Sequence, residues 1–259
     1  MDETRPENIS IDLLLKSSNK ATCEIEVIED AVEEKFRMFK PFNIVRDPSD
    51  HHYVETKSST LPGNWLEEEC SLVNRMVEEW KILREKLPNT ICVRAYRDCI
   101  DLMRVVIVGL DNTPYRDGLF FFDLHISHEY PISPPIVHHH SHGFYLGINF
   151  SRRINNQWVP GKSNILQLLV YIQAFVLNEA PCRSIIDPIL PYEKPRTPGF
   201  NKYTFKLCCK SMLYTLKNPP KHFEDFVIGH FRKRAIPILL TYEECVYGDA
   251  TVDTFLWIY

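Results

Sequence analysis

The sequence has no excess of positive charge: 30 basic side chains stand against 34 acidic ones in 259 residues, a net of −4. Nucleic-acid binders draw affinity from basic groups that displace counterions, so this balance argues against such a partner. No apolar run reaches the roughly 18 residues of a membrane-spanning helix. The opening MDETRPENIS has no basic stretch leading into an apolar core, so no signal segment is expected. None of the cysteines at 23, 70, 92, 99, 182, 208, 209 and 245 forms a Cys-x-x-Cys pair, which argues against a zinc ribbon or a thioredoxin-type site. These absences lead to the expectation of a cytoplasmic or nuclear protein with reduced thiols and neither membrane nor nucleic acid as partner.

What is present divides unevenly. Residues 1–63 carry 13 acidic and 8 basic side chains and no sustained periodicity, so they read as a largely disordered acidic arm with short ordered pieces around Ile11–Leu15 and Phe36–Val45. Asn64 and Glu67 then resemble a capping box. Leu66, Cys70, Val73, Met76, Val77, Trp80, Leu83 and Leu87 follow at helical spacing, with Glu67, Glu68, Arg75, Glu79 and Arg84 assigned to the exposed face. The helix stops at Leu87-Pro88-Asn89. Four strands are expected at 91–96, 102–108, 119–126 and 136–140, joined by short turns as an antiparallel meander. A core helix starts at Ser163 and carries Ile165, Leu168, Leu169, Ile172, Phe175 and Val176. After a proline-rich loop come two helices, Thr204–Leu216 and Pro220–Arg232. The second ends in Arg232-Lys233-Arg234, which suits the negative end of its dipole. The class is α+β, with a domain over 64–240 and a tail over 241–259.

The motifs in this order resemble those of the ubiquitin-conjugating enzyme family. Thr113-Pro114-Tyr115 with Gly118 and a phenylalanine strand is similar to its TPY–G–F segment. Tyr130-Pro131-x-x-Pro134-Pro135 is similar to its YPxxPP, and Trp158-Val159-Pro160 to its WxP. Phe39–Val45, Ser49–Tyr53, Glu79–Leu83, Lys217–Lys221 and His230–Arg234 resemble the large plant members of the phosphate-homeostasis type and their animal hybrid conjugating/ligase relatives. The resemblance implies the family fold, with an N-terminal helix, the four-stranded meander, the core helix and C-terminal helices. It also implies partners in ubiquitin, a ubiquitin ligase, and activating or conjugating enzymes, and a cis bond at Tyr130-Pro131.

It further implies a nucleophile that this chain lacks. Family members carry ubiquitin as a thioester on a cysteine that follows a His-Pro-Asn tripeptide, whose Asn stabilises the oxyanion. Here the stretch HHHSHGFYLGINFSRRINNQW (138–158) holds no cysteine, and Asn149-Phe150-Ser151 is a poor counterpart of the tripeptide. Only residues 152–157 remain before Trp158, so the whole active-site segment is expected to be absent. Cys182, in Ala180-Pro181-Cys182-Arg183, has a cation beside it but lies away from the oxyanion donor. Cys70, Cys92, Cys208 and Cys245 read as packing residues. No residue is therefore assigned as catalytic, cofactor-binding or metal-ligating, and no cofactor is expected. Three functions stay open: a non-catalytic member of the ubiquitin-conjugation system; an active enzyme whose segment is lost by splicing or gene prediction; and a metal-binding protein built on His138, His140 and His142, which alternate on a strand end.

Overall fold

The structure, a computed structural model of the chain, describes residues 31–55, 65–144, 146, 148, 154–155, 157–178 and 197–247. In chain order its elements begin with α1 (31–38), β1 (Phe42–Val45), α2 (Trp65–Lys86) and β2 (Ile91–Tyr96). Then come β3 (Cys99–Val108), β4 (Leu119–His125), β5 (Ile136–His139), α3 (Ile165–Tyr171), α4 (Thr197–Lys217) and α5 (Glu224–Tyr247). The architecture is α+β.

Strands β2 to β5 form the expected antiparallel meander, but the sheet has five strands in the order β1-β2-β3-β4-β5. The fifth strand, β1, is an addition to that meander which the sequence reading did not place. β1 runs parallel to β2, pairing Phe42 with Val93 and Val45 with Tyr96. It satisfies an edge that would otherwise present open donors and acceptors: Val93 N–H donates to Pro41 O (2.7 Å) and Arg97 N–H to Val45 O (2.8 Å). A parallel pair is joined by a long connection, so no turn motif announces it. Residues 31–55, read from composition as arm, are thus a helix, a strand and a turn seated on the sheet.

Alternation along the strands makes two faces. Val93, Ala95, Val105, Ile107, Phe122 and Leu124 lie on one, and belong to the main core with Met76 and Leu83 of α2 and Ile165, Leu168 and Leu169 of α3. The other face carries Arg94, Arg104, Phe121 and Asp123, and is buried as well. It is covered by the N-terminal residues and by the chain entering α5. Phe223 meets Phe121 edge-on at 5.4 Å, and the Arg94 guanidinium lies between the rings of Phe39 (4.1 Å) and Phe223 (5.0 Å).

The helices differ from the sequence reading at several points: α4 begins at Thr197 rather than Thr204, and Phe175, assigned to the apolar stripe of the core helix, is exposed. Val73 and Val77 of α2 face solvent, with Val77 53% exposed, whereas Glu79 is buried. The α3 N-cap is Asn164 rather than Ser163: its side chain accepts from Gln167 N–H while Gln167 Oε1 accepts from Asn164 N–H. α3 runs on as a π-helical turn, Ile172–Val176, that points Gln173 at the sheet. There Gln173 Nε2 donates to Val108 O at 3.0 Å, and its Oε1 accepts from Thr90 Oγ1 at 3.2 Å. Finally, α5 continues through Arg232-Lys233-Arg234 and Pro237 to Tyr247, so the basic run sits mid-helix and not at a negative dipole end. The capping box at Asn64, Cys23 and Cys182 lie outside the described residues.

Candidate functional site

Two of the three motifs meet α2 and the start of α3 at one point, organised by Glu79. From α2 its Oε1 accepts the Tyr130 hydroxyl proton (2.5 Å), and its Oε2 accepts from Ile165 N–H (3.1 Å). The latter donor belongs to the first turn of α3, where amides lack intrahelical partners and a negative charge is favoured. Burial, then the bond to Glu79, pushes the Tyr130 phenol up and keeps it a donor. The Tyr130-Pro131 bond is cis, and Pro131 O accepts both Trp158 Nε1–H (3.0 Å) and Gly161 N–H (3.1 Å). The Tyr130 and Trp158 rings lie 5.8 Å apart. Helix α2, the YPxxPP turn and the WxP segment thus form a single clamp.

The third motif anchors the short loop. Tyr115 is fully buried, its ring edge-on to Phe120, and its hydroxyl donates to Leu146 O at 2.7 Å. Leu146 and Ile154 are buried, and Trp158 N–H donates to Ile154 O (2.9 Å). Pro134, Pro135, Val137, Ile154 and Asn155 line an open cavity of about 440 Å³ beside this loop. Ile132 (70% exposed) and Val159 mark an apolar surface at the same end. Asn149, Phe150 and Ser151 lie outside the described residues.

Four of the described thiols, Cys92, Cys208, Cys209 and Cys245, stand elsewhere and are shifted against reactivity. Cys92 is in β2, and burial pushes its thiol up to about 12. Cys208 and Cys209 are in α4; burial raises the first well above the ordinary thiol value and the second to about 12. Cys245 of α5 is raised too, again by burial. A nucleophilic cysteine requires the opposite shift. Vicinal Cys208 and Cys209 divide as helix geometry demands, the first in the main core and the second against Phe205 and Cys245.

The histidines gather around Asp123. Its Oδ1 accepts from Arg104 Nε–H at 2.7 Å. Its Oδ2 accepts from Arg104 Nη2–H (2.8 Å), from His52 N–H (2.7 Å) and from His140 Nε2 (2.8 Å). Burial raises the Asp123 carboxyl, but these bonds outweigh it and hold the group well below the usual carboxylate range. Arg104, 1% exposed, also donates to Asp50 O at 2.7 Å. His51 Nδ1 accepts from Tyr53 N–H (3.3 Å), so its Nε2 carries the proton bonded to Met103 O at 3.0 Å. His138 stacks face to face on His52, with centroids 3.5 Å apart and planes within 4°. These contacts correct the metal-centre expectation. The rings pack against each other rather than converge, and among the described residues no group of three or more His, Cys, Asp or Glu side chains is arranged to hold a metal. The network instead pins residues 50–53 to the sheet.

A meander with α2 at one end, a core helix and a Tyr-Pro/Trp clamp defines a ubiquitin-conjugating-type domain. Comparison with known proteins agrees: the family profile described as ubiquitin-conjugating enzyme matches residues 75–186. A relative described as "Putative ubiquitin-conjugating enzyme E2 38" of Arabidopsis thaliana is 38% identical over 229 residues, covering 80% of this chain and 68% of the relative. "Probable ubiquitin-conjugating enzyme E2 25" of the same plant is 39% identical over 228 residues, covering 79% of this chain and 36% of the relative. A human dual E2 ubiquitin-conjugating enzyme/E3 ubiquitin-protein ligase is 25% identical over 255 residues, which is 83% of this chain and 5% of that protein. The chain belongs to the ubiquitin-conjugating enzyme family. The chain spans 36% of the length of the E2 25 relative and 68% of that of the E2 38 relative. Among the described residues no helix is long and apolar enough to cross a membrane.

Proposed function

We propose that this protein is a non-catalytic member of its family. It binds ubiquitin, a ubiquitin ligase, or an activating or conjugating partner through α2 and the loops near Pro114 and Pro134, without forming a thioester. One observation carries this reading: the chain from His138 to Trp158 contains no cysteine. Support comes from the loop's two flanks, which are tied down at Leu146 and Ile154 while the domain around them keeps its clamp. The test is to incubate the protein with activating enzyme, ATP and ubiquitin. No adduct sensitive to thiol reductant is expected, and a clear one overturns the proposal. Ubiquitin binding by this chain then needs its own measurement by NMR titration, with shifts expected at α2 or the two loops.

A second reading is favoured by the abruptness of the loss between intact flanks. The protein is then an active enzyme in its full form, and the segment between Asn149 and Gln157 is missing from this sequence through splicing or gene prediction. Transcript sequencing across codons 145–165 decides it. A transcript encoding an additional cysteine-bearing segment supports this reading, and uniform absence of one removes it.

A further inference from the structure

β1 ends the sheet, and among the described residues no strand pairs with its outer edge. Its bonds to β2 fix which backbone groups face that edge. Pro41 O and Val45 O both accept from β2, the first from Val93 N–H and the second from Arg97 N–H. Residues of a parallel strand alternate in direction, so 41, 43 and 45 address β2 while Phe42 and Ile44 turn their N–H and C=O groups outward. The Ile44 N–H is met there only by Asn43 Oδ1 (3.0 Å), an exposed side chain one residue away.

The side chains alternate as well. Phe42 and Ile44 pack into the main core, whereas Asn43 and Val45 lie on the opposite side of the strand with Phe39. Each side has its own hollow at the edge. On the core side an open cavity of about 540 Å³ is walled by Phe42, Ile44, Leu87 and three cations, Lys40, Arg84 and Arg97. No carboxylate lines it, and among the described residues none of these cations forms an ion pair. The Arg84 guanidinium lies 5.5 Å from the centre of the Phe42 ring. On the opposite side a cavity of about 430 Å³ is lined by Met38 (70% exposed), Phe39 and Val45, and there Lys35 is already paired with Asp225 at 3.4 Å.

A strand laid along this edge bonds to Phe42 and Ile44 and sends its own side chains alternately into the two hollows. Unpaired cations around the first favour a carboxylate, and the apolar walls of the second favour an aliphatic side chain. We propose that the outer edge of β1 receives an extended segment of a partner protein in which acidic and aliphatic residues alternate. Main-chain pairing supplies affinity, and the cations select the partner. This edge is separate from the loops near Pro114 and Pro134, and the inference stands whether or not the chain forms a thioester.

The test titrates a short blocked peptide of alternating glutamate and valine into the whole isotope-labelled chain, followed by amide NMR. Saturable shifts are expected at Phe42 and Ile44, with slowed hydrogen exchange at Phe42. Arg84→Glu combined with Arg97→Glu, both exposed, should weaken binding about tenfold, as expected for reversing two surface charges. Lys210→Glu, exposed on α4, should leave it unchanged. Shifts around Lys40, Arg84 and Arg97 without Phe42 and Ile44 mean loose charge attraction and overturn the proposal. Equal binding of a lysine–valine peptide, displacement by oligothymidylate, or undiminished affinity in the double variant also overturns it. Concentration-dependent shifts at Phe42 and Ile44 without peptide overturn it in favour of a second copy. No shifts at all overturn it too, and leave the cations as guards of an exposed edge.

Discussion

Both faces of the sheet are buried, but by opposite means. One face is made of Val93, Val105, Ile107, Phe122 and Leu124, which join the apolar core. The other puts Arg94, Arg104 and Asp123 in the same rows of strands and is closed by residues 36–53 and Phe223. Apolar burial is non-directional, so the first face depends on volume and shape. Buried charge is tolerable only when every partner is in place, so the second face depends on address. Asp123 meets Arg104, His140 and the His52 amide at once, and only one seating of the turn at 50–53 provides all of them. The difference explains why the N-terminal turn has a defined place on a surface with few apolar anchors.

The contrast can be broken most directly at Asp123. Asp123→Ala takes from the Arg104 guanidinium its fully buried partner, leaving it only the half-buried Asp50, and should destabilise the protein by about 3 kcal/mol in urea unfolding. The double change Arg104→Met with Asp123→Leu should recover most of that loss; a loss under about 1 kcal/mol in the single variant would show the polar face to be dispensable. On the apolar face, Leu124→Ala should cost about 3 kcal/mol through the cavity it leaves, yet keep the amide NMR signals of residues 50–53 in place.

Lowering the pH should sharpen the same contrast. Burial depresses His51, His138 and His142, and takes His139 to about 3. These rings hold a proton less readily when folded than unfolded histidine does near pH 6.5, so the unfolded state binds more protons and stability falls as pH drops through that region from 7 to 5. Asp123 stays ionised across that window and adds no slope of its own. A melting temperature flat from pH 7 to 5 contradicts this account, and His138→Gln should reduce the slope. The smallest expected effect is on α2: Val77→Ser should change stability by less than about 0.5 kcal/mol, whereas a core position would not tolerate it.

Much of the fold was legible because its motifs are local. Tyr115, Tyr130 and Trp158 were readable as structural residues, and the structure joins them through hydrogen bonds to Leu146, Glu79 and Pro131. Glu79 was not, since a glutamate in an amphipathic helix ordinarily faces water, and the reason to bury it lies in the first turn of α3, far along the chain. β1 was hidden for a similar reason: its partner Val93 is distant in sequence and no turn links them. Arg104 and Asp123 alternate with apolar residues as on a solvated face, and nothing local tells that the chain's own N-terminal turn will cover them. At the candidate site, the sequence showed the missing cysteine plainly, while the histidine run carried no sign of whether its rings would converge or stack.

The parallel seating of β1 has a kinetic consequence. β2 to β5 pair through short turns, so their contacts close small loops and can form early. β1 must wait for an edge that exists only once β2 is in place, and it returns to that edge from the far side of the whole α2 segment. Assembly then has a built-in order, meander before N-terminal strand. A chain emerging from the ribosome holds Phe42–Val45 unpaired until Ile91–Tyr96 has followed it out.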